Sequence, residues 1–202
     1  MFACTCYAPV FCCLRQTGNC KTEKTQIIGV TSASGYKNEF IGLGFALPEG
    51  WVFYSEEEMA QVNGFAVDSM GTEYQEMANN ATLFYAAFAT DPVTMDNINI
   101  NLEKAGNVTR QSFDAQQNVE NIQDMVAQGM ESMGTTVVDY GTDSVYIDGK
   151  VFYCIYMDSV INGVQLYQYT IQVGCDGYVA SICITAHEES SLETLLEYFY
   201  LT

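Results

Sequence analysis

VFYCIYMDSVINGVQLYQYTIQVGCDGYVASICITA, Val151 to Ala186, is the stretch that decides the fold. Asn162-Gly163 and Asp176-Gly177 divide it into three runs rich in β-branched and aromatic residues. Asn-Gly is the strongest short hairpin signal, because a type I′ turn needs φ > 0 at both central residues. Two-residue turns at both places fix the register, and the period of two then assigns side chains to faces. One face collects Phe152, Cys154 and Tyr156, then Tyr169, Ile171 and Val173, then Ala180, Ile182 and Ile184. It is apolar across all three runs and is expected on the core. The other face collects Tyr153, Ile155 and Met157, then Gln168, Thr170 and Gln172, then Ser181, Cys183 and Thr185. It is mixed and is expected to be partly covered. An antiparallel meander with one buried and one partly covered face satisfies both. The apolar spacing of three and four that a helix needs is absent.

Outward from the meander, Ser112–Met133 carries Ala115, Val119, Ile122, Val126, Met130 and Met133 on one stripe. That spacing predicts a long amphipathic helix closed by Gly134. Thr136–Ile147 reads as one or two strands around Gly141, with Asp148-Gly149 turning into the meander. Asn97–Lys104 alternates, with Ile98, Ile100 and Leu102 inward and asparagines outward, and Thr82–Ala89 is a strand by composition. Tyr36–Phe40 and Gly44–Leu47 form a hairpin pair, and Trp51 is expected as a core anchor. Ser55 with Glu58 makes a capping box for a helix over Glu56–Asn63 that stops at Gly64. Thr72 with Gln75 is expected to cap a second short helix. Ser190 with Glu193 is expected to cap a last one bearing Leu192, Leu195, Leu196 and Phe199. Runs of antiparallel strands punctuated by helices predict an α+β fold: one domain, with a twisted antiparallel sheet of about six to eight strands flanked by helices.

The 202 residues include 25 Asp and Glu against 7 Lys and Arg, a net charge of −18. Only Lys104, Arg110 and Lys150 are basic after Lys37. Such a surface repels phosphate backbones, which excludes nucleic acid as an expected partner. Of the eight cysteines, Cys4, Cys6, Cys12, Cys13 and Cys20 crowd the first twenty residues, without the C-x2-C pairs and His of a zinc site. Cys154, Cys175 and Cys183 lie in the predicted strands, and the face assignment sets Cys154 and Cys183 on opposite sides, against a disulfide. They read as small buried hydrophobes.

Residues 1–20 read as an apolar, Cys-rich, signal-like leader, 21–35 as a flexible tether, and 36–202 as the globular domain. Phe2–Leu14 has the length of a secretory apolar region but is too short to span a bilayer. Cys20, after Thr17-Gly18-Asn19, is the best-placed residue for a lipid anchor, although Asn19 stands where a small residue is expected. Cys4 is the other option, and a misassigned start with no role is the third.

Tyr36-Lys37-Asn38-Glu39-Phe40-Ile41-Gly42-Leu43-Gly44-Phe45, with Leu47-Pro48-Glu49-Gly50-Trp51, Ser55-Glu56-Glu57-Glu58-Met59 and Gly177-Tyr178-Val179-Ala180-Ser181-Ile182, resembles a family of uncharacterised lipoproteins from gut Firmicutes. In pattern it looks like the Mog1/PsbP-like superfamily. The resemblance implies an α/β/α sandwich and export with a lipid anchor, and it brings no catalytic residues. The Cys-rich start departs from it in lacking a good lipobox.

One histidine, His187, must be the base of any Ser-His or Cys-His mechanism. Cys183 is four residues away along the same strand. His187-Glu188-Glu189 could supply metal ligands, but it lies where a strand meets a helix. No dinucleotide fingerprint, Walker loop, nucleophile elbow or His-Glu-x-x-His occurs. No catalytic residue, metal site or cofactor is expected. The expectation is a non-catalytic binding or protein-interaction module of a secreted or lipid-anchored surface protein. It would lie outside the cytoplasmic membrane as a monomer, with an extracellular or cell-envelope partner. The alternative is a hydrolase with a carboxylate or His187-based site, and a calcium-dependent adhesive role is a third option.

Overall fold

The computed structural model describes residues 27–65 and 72–202. In chain order they form β1 (Val30–Ser32), β2 (Gly35–Asn38), β3 (Leu43–Ala46), β4 (Val52–Phe53), α1 (Glu56–Val62), α2 (Thr72–Asn80), β5 (Leu83–Thr90), β6 (Asn97–Lys104), α3 (Ala115–Ser132), β7 (Thr136–Ile147), β8 (Lys150–Ile161), β9 (Val164–Cys175), β10 (Tyr178–Ala186), α4 (Glu189–Leu196) and β11 (Phe199–Leu201). Every strand pairing is antiparallel. A seven-stranded sheet has the order β4-β5-β6-β10-β9-β8-β7, and a four-stranded sheet the order β1-β2-β3-β11. The fold is α+β, as the alternation of elements predicts.

The meander takes the register its turns dictate. Ile161 pairs with Val164 and Cys175 with Tyr178. Asn162 and Gly163 both have positive φ, 52° and 82°, as a type I′ turn requires. Asp148 and Gly149, at 48° and 74°, make the same turn between β7 and β8. At the second meander turn only Gly177 has positive φ. There the β6–α3 connection competes for the backbone: Gly177 N–H donates to Val108 O at 2.8 Å and Ala105 N–H to Gly177 O at 2.9 Å.

The large sheet divides the interior. On one face Cys154, Ile171, Ala180, Ile182 and Ile184 join Ile98, Ile100, Leu102 and Phe84 in the main core. That core is closed by Tyr36, Leu43 and Phe45 of the small sheet, by Leu192 and Leu195 of α4 and by Phe199. Trp51 is buried in it, as expected. Each such fully buried large apolar side chain contributes about 1.5–3 kcal/mol. On the other face α3 lies over β7, β8 and β9. Its Val119 and Ala127 are buried, as are Ile155 and Met157 below.

Several expectations are corrected. The order starts ahead of Tyr36: Ile27 and Ile28 are buried, and β1 pairs with β2, so the fold takes in part of the stretch read as tether. The buried amide of Asn38 holds that entry, donating from Nδ2 to Ile27 O at 2.9 Å, while Tyr36 Oη donates to Ile28 O at 2.6 Å. The long helix begins at Ala115, not Ser112, because Asp114 caps it by accepting from Gln117 N–H at 3.0 Å. Met133, placed on its buried stripe, is exposed beyond the helix end. Ser190 does not cap α4: the N-cap is Glu188 and makes no side-chain hydrogen bond. Phe199 belongs to β11, which pairs with β3. The Ser55–Glu58 capping box is present in full. The side chains of the expected Thr72–Gln75 cap, the leader, and Cys20 lie outside the described residues.

Candidate functional site

The core-facing rows of β7, β8 and β9 run further than the small sheet and α4 cover them. Where they emerge they line a cleft of about 420 Å³ bounded by Asp139 and Asp143 of β7, Tyr156 and Asp158 of β8, Tyr167 and Tyr169 of β9, and Glu189 of α4. Sheet alternation brings the side chains together. Gly141 pairs with Tyr156, Asp139 with Asp158 and Tyr156 with Tyr169, so each group sits on the same side as its neighbour across the ladder. Tyr156 lies against β7 because residue 141 has no side chain. A Cβ there would stand 2.8 Å from its ring.

The electrostatics are one-sided. Asp139 and Asp158 are direct cross-strand partners, an arrangement of like charges that weakens a sheet. Their recorded partners are neutral: Tyr156 Oη donates to Asp139 Oδ2 at 3.0 Å and Gln165 Nε2 donates to Asp158 Oδ1. Among the described residues the side-chain ion pairs are Lys37–Glu39 and His187–Asp96, so no protein cation neutralises this cleft. The Tyr156 phenol is raised above its ordinary value, first by its hydrogen bond to Asp139, then by desolvation and the Asp139 and Asp143 charges. Tyr169 is raised by burial and then by Asp143. Three aromatic faces beside uncompensated carboxylates suit an organic cation, through Coulomb attraction and cation–π contact.

A second cleft, about 480 Å³, lies at the start of α3 and includes Arg110, Lys150, Phe152 and Gln172. It is the larger of the two, but its cations are already engaged. The Arg110 guanidinium donates to Phe40 O at 2.6 Å, and Lys150 stands 5.1 Å over the Phe152 ring. Asp114, already capping α3, occupies the helix start where an anion would bind. The geometry accounts for this cleft as structure.

His187 sits at the end of β10 with Nδ1 2.7 Å from Asp96 Oδ1, which also accepts the His187 backbone N–H at 3.0 Å. A histidine oriented by an aspartate is part of a hydrolytic triad. The remaining part is missing among the described residues: no Ser, Thr or Cys hydrogen bonds to the ring. Cys183 instead contacts Thr170 Oγ1 at 3.7 Å. Burial raises the Cys183 thiol and pushes Cys154 up to about 12 and Cys175 to about 11. All three therefore stay protonated and poorly nucleophilic at neutral pH. Asp96 and His187 tie the β5–β6 connection to the end of β10. Cys154 and Cys183 face opposite sides of the sheet and are free thiols, as is Cys175.

Sequence reasoning assigned Tyr156 and Tyr169 to the core and missed this cleft. The available signal was Asp158, which continues the row Phe152, Cys154, Tyr156 and so cannot be buried with it. Among the described residues no group of three or more His, Cys, Asp and Glu is placed to hold a metal ion, and no helix is long and apolar enough to cross a membrane.

No protein-family model and no curated protein matches the chain. Among solved structures it is similar to cyanobacterial PsbP (CyanoP) from Synechocystis sp. PCC 6803, with a TM-score of 0.49 and 14% identity over 86% of this chain and 96% of that one. It is also similar to a protein from Bacteroides thetaiotaomicron, with a TM-score of 0.38 and 10% identity over 80% of this chain and 45% of that one.

Proposed function

We propose that the protein is a non-catalytic binding module acting outside the cytoplasmic membrane, secreted or anchored through Cys20, and that the cleft between β7, β8 and β9 is its contact surface for a cationic ligand. The observation that carries this reading is the like-charged pair Asp139–Asp158, set among three tyrosines with no cation from the described residues beside it. A sheet that keeps such a pair gives up local stability, and local rules are broken most often where a surface is used. The leader and the lipoprotein resemblance support the location.

The test is titration with spermine, a linear tetra-amine, followed by calorimetry. Asp143→Asn, Asp139→Asn and Tyr167→Leu each weaken binding by about three- to tenfold, the effect of about 1 kcal/mol per lost cation contact. Glu103→Gln on β6 removes the same charge from a strand four places from β7 in the sheet and leaves affinity within about twofold, as does His187→Ala. If Asp143→Asn behaves like Glu103→Gln, the protein attracts amines only through its net charge and the cleft is not a site. Loss of an activity in His187→Ala would turn the reading to the hydrolase.

A further inference from the structure

β7 is the outer strand of the large sheet and is twelve residues long. Among the described residues no strand pairs with its outer edge. A bulge between Val137 and Asp139 bounds the free stretch at one end. At the other, β11 approaches, with Leu201 N–H donating to Asp148 Oδ2 at 2.8 Å. Between them the residues are mostly exposed, Tyr146 at 68%. An edge of this kind offers main-chain N–H and C=O groups to another chain. Here the Tyr140 and Ser144 N–H groups donate to Asp139 Oδ1 and Asp143 Oδ1 at 2.9 and 2.7 Å, contacts that an incoming strand must replace.

The charges on that edge select the occupant. Asp139 and Asp143 belong to β7 and also line the tyrosine cleft. Four residues apart on one strand, they stand about 13 Å apart on one face, with Gly141 between them. We propose that the free edge of β7 receives a basic, extended segment of a partner protein, which adds a strand to the sheet and sets Lys or Arg side chains four residues apart against Asp139 and Asp143. The proposal rests on the binding reading above and names its partner. The segment's middle residue meets Gly141, over which the Tyr156 ring lies, so its side chain packs beside that ring. Its other face meets Tyr140, Thr142 and Ser144 and carries neutral residues. Main-chain bonds then supply affinity, and alternate side chains supply specificity. A second copy is a poor occupant, because antiparallel pairing centred on Gly141 sets Asp139 of each chain against Asp143 of the other. Edge carboxylates that block self-pairing are a general device. Here the same carboxylates admit a cation-bearing strand.

The test uses the full chain and the peptide Thr-Lys-Thr-Tyr-Thr-Lys-Thr, blocked at both ends. Hydrogen exchange is expected to slow at the β7 edge amides when the peptide binds. N-methylation of the peptide amides on one side of the strand should weaken binding by roughly tenfold, and on the other side hardly at all, because alternate amides point in opposite directions. Replacing both lysines by glutamate should abolish binding. Equal affinity for both methylated peptides would overturn strand addition, while spermine binding that still depends on Asp143 would leave the cleft reading standing. Slow β7 exchange without peptide would also overturn the proposal: in a dimer it assigns the edge to a second copy, and in a monomer to this chain's own leader. No binding of either probe would overturn both readings.

Discussion

Tyr156 shows how one residue's chemistry depends on another's absence. Its ring lies over Gly141, and its hydroxyl donates to Asp139. The phenol is raised because the proton it would lose is shared with a carboxylate. A raised folded value means that the neutral phenol is the form the fold prefers. The stabilisation is therefore fully present below the unfolded value, near 10, and is lost as pH rises through the higher folded value. Spectroscopic titration of the wild type against Tyr156→Phe should show this tyrosine ionising late, and Asp139→Asn should bring it back towards the ordinary value. An unchanged titration in Asp139→Asn would mean that the hydrogen bond does not hold the phenol. This residue also marks the limit of reading by alternation. The period of two assigns a face, not the depth of cover over it, and Tyr156 shares its face with Cys154, which is fully buried.

At the scale of elements, legibility followed the range of the interactions. Turns and caps are local, so Asn162-Gly163, Asp148-Gly149 and the Ser55–Glu58 box could be read directly. Of the small sheet only the β2–β3 hairpin could. β1 and β11 have three residues each, too few for a periodicity, and β11 finds its partner β3 across almost the whole chain. Phe199 fits the helical pattern in sequence because Leu192, Leu195, Leu196 and Phe199 match a spacing of three and four as well as they match a helix followed by a strand. The four-stranded sheet instead depends on Asn38. Its Oδ1 accepts from Phe40 and Ile41 N–H at 3.0 and 3.2 Å, and its Nδ2 reaches Ile27 O and Tyr36 Oη. Asn38→Ala leaves these buried groups unpaired and should destabilise the protein by about 2–3 kcal/mol. Urea unfolding measures the loss, and protease mapping should find new cleavage near Ile27 and Ile28. A change below about 0.5 kcal/mol, typical of a plain surface site, would show that the entry strand is held by packing alone.

At the scale of the whole molecule, charge and location belong together. A chain with −18 net charge gains solubility and repels polyanions, and it draws cations to any concave acidic surface. Membrane fractionation with intact-mass analysis tests the location. A diacylated N-terminus at Cys20 is expected. An unmodified chain in the soluble fraction would remove the surface anchor from the account while leaving the cleft to be tested separately. The most direct test of the central claim is a map, by NMR chemical shifts, of the residues that respond when spermine is added to the folded protein. The account predicts shifts concentrated at Asp139, Asp143, Tyr156, Asp158, Tyr167 and Tyr169. Shifts spread evenly over the acidic surface, or centred on His187 and Asp96, would contradict it.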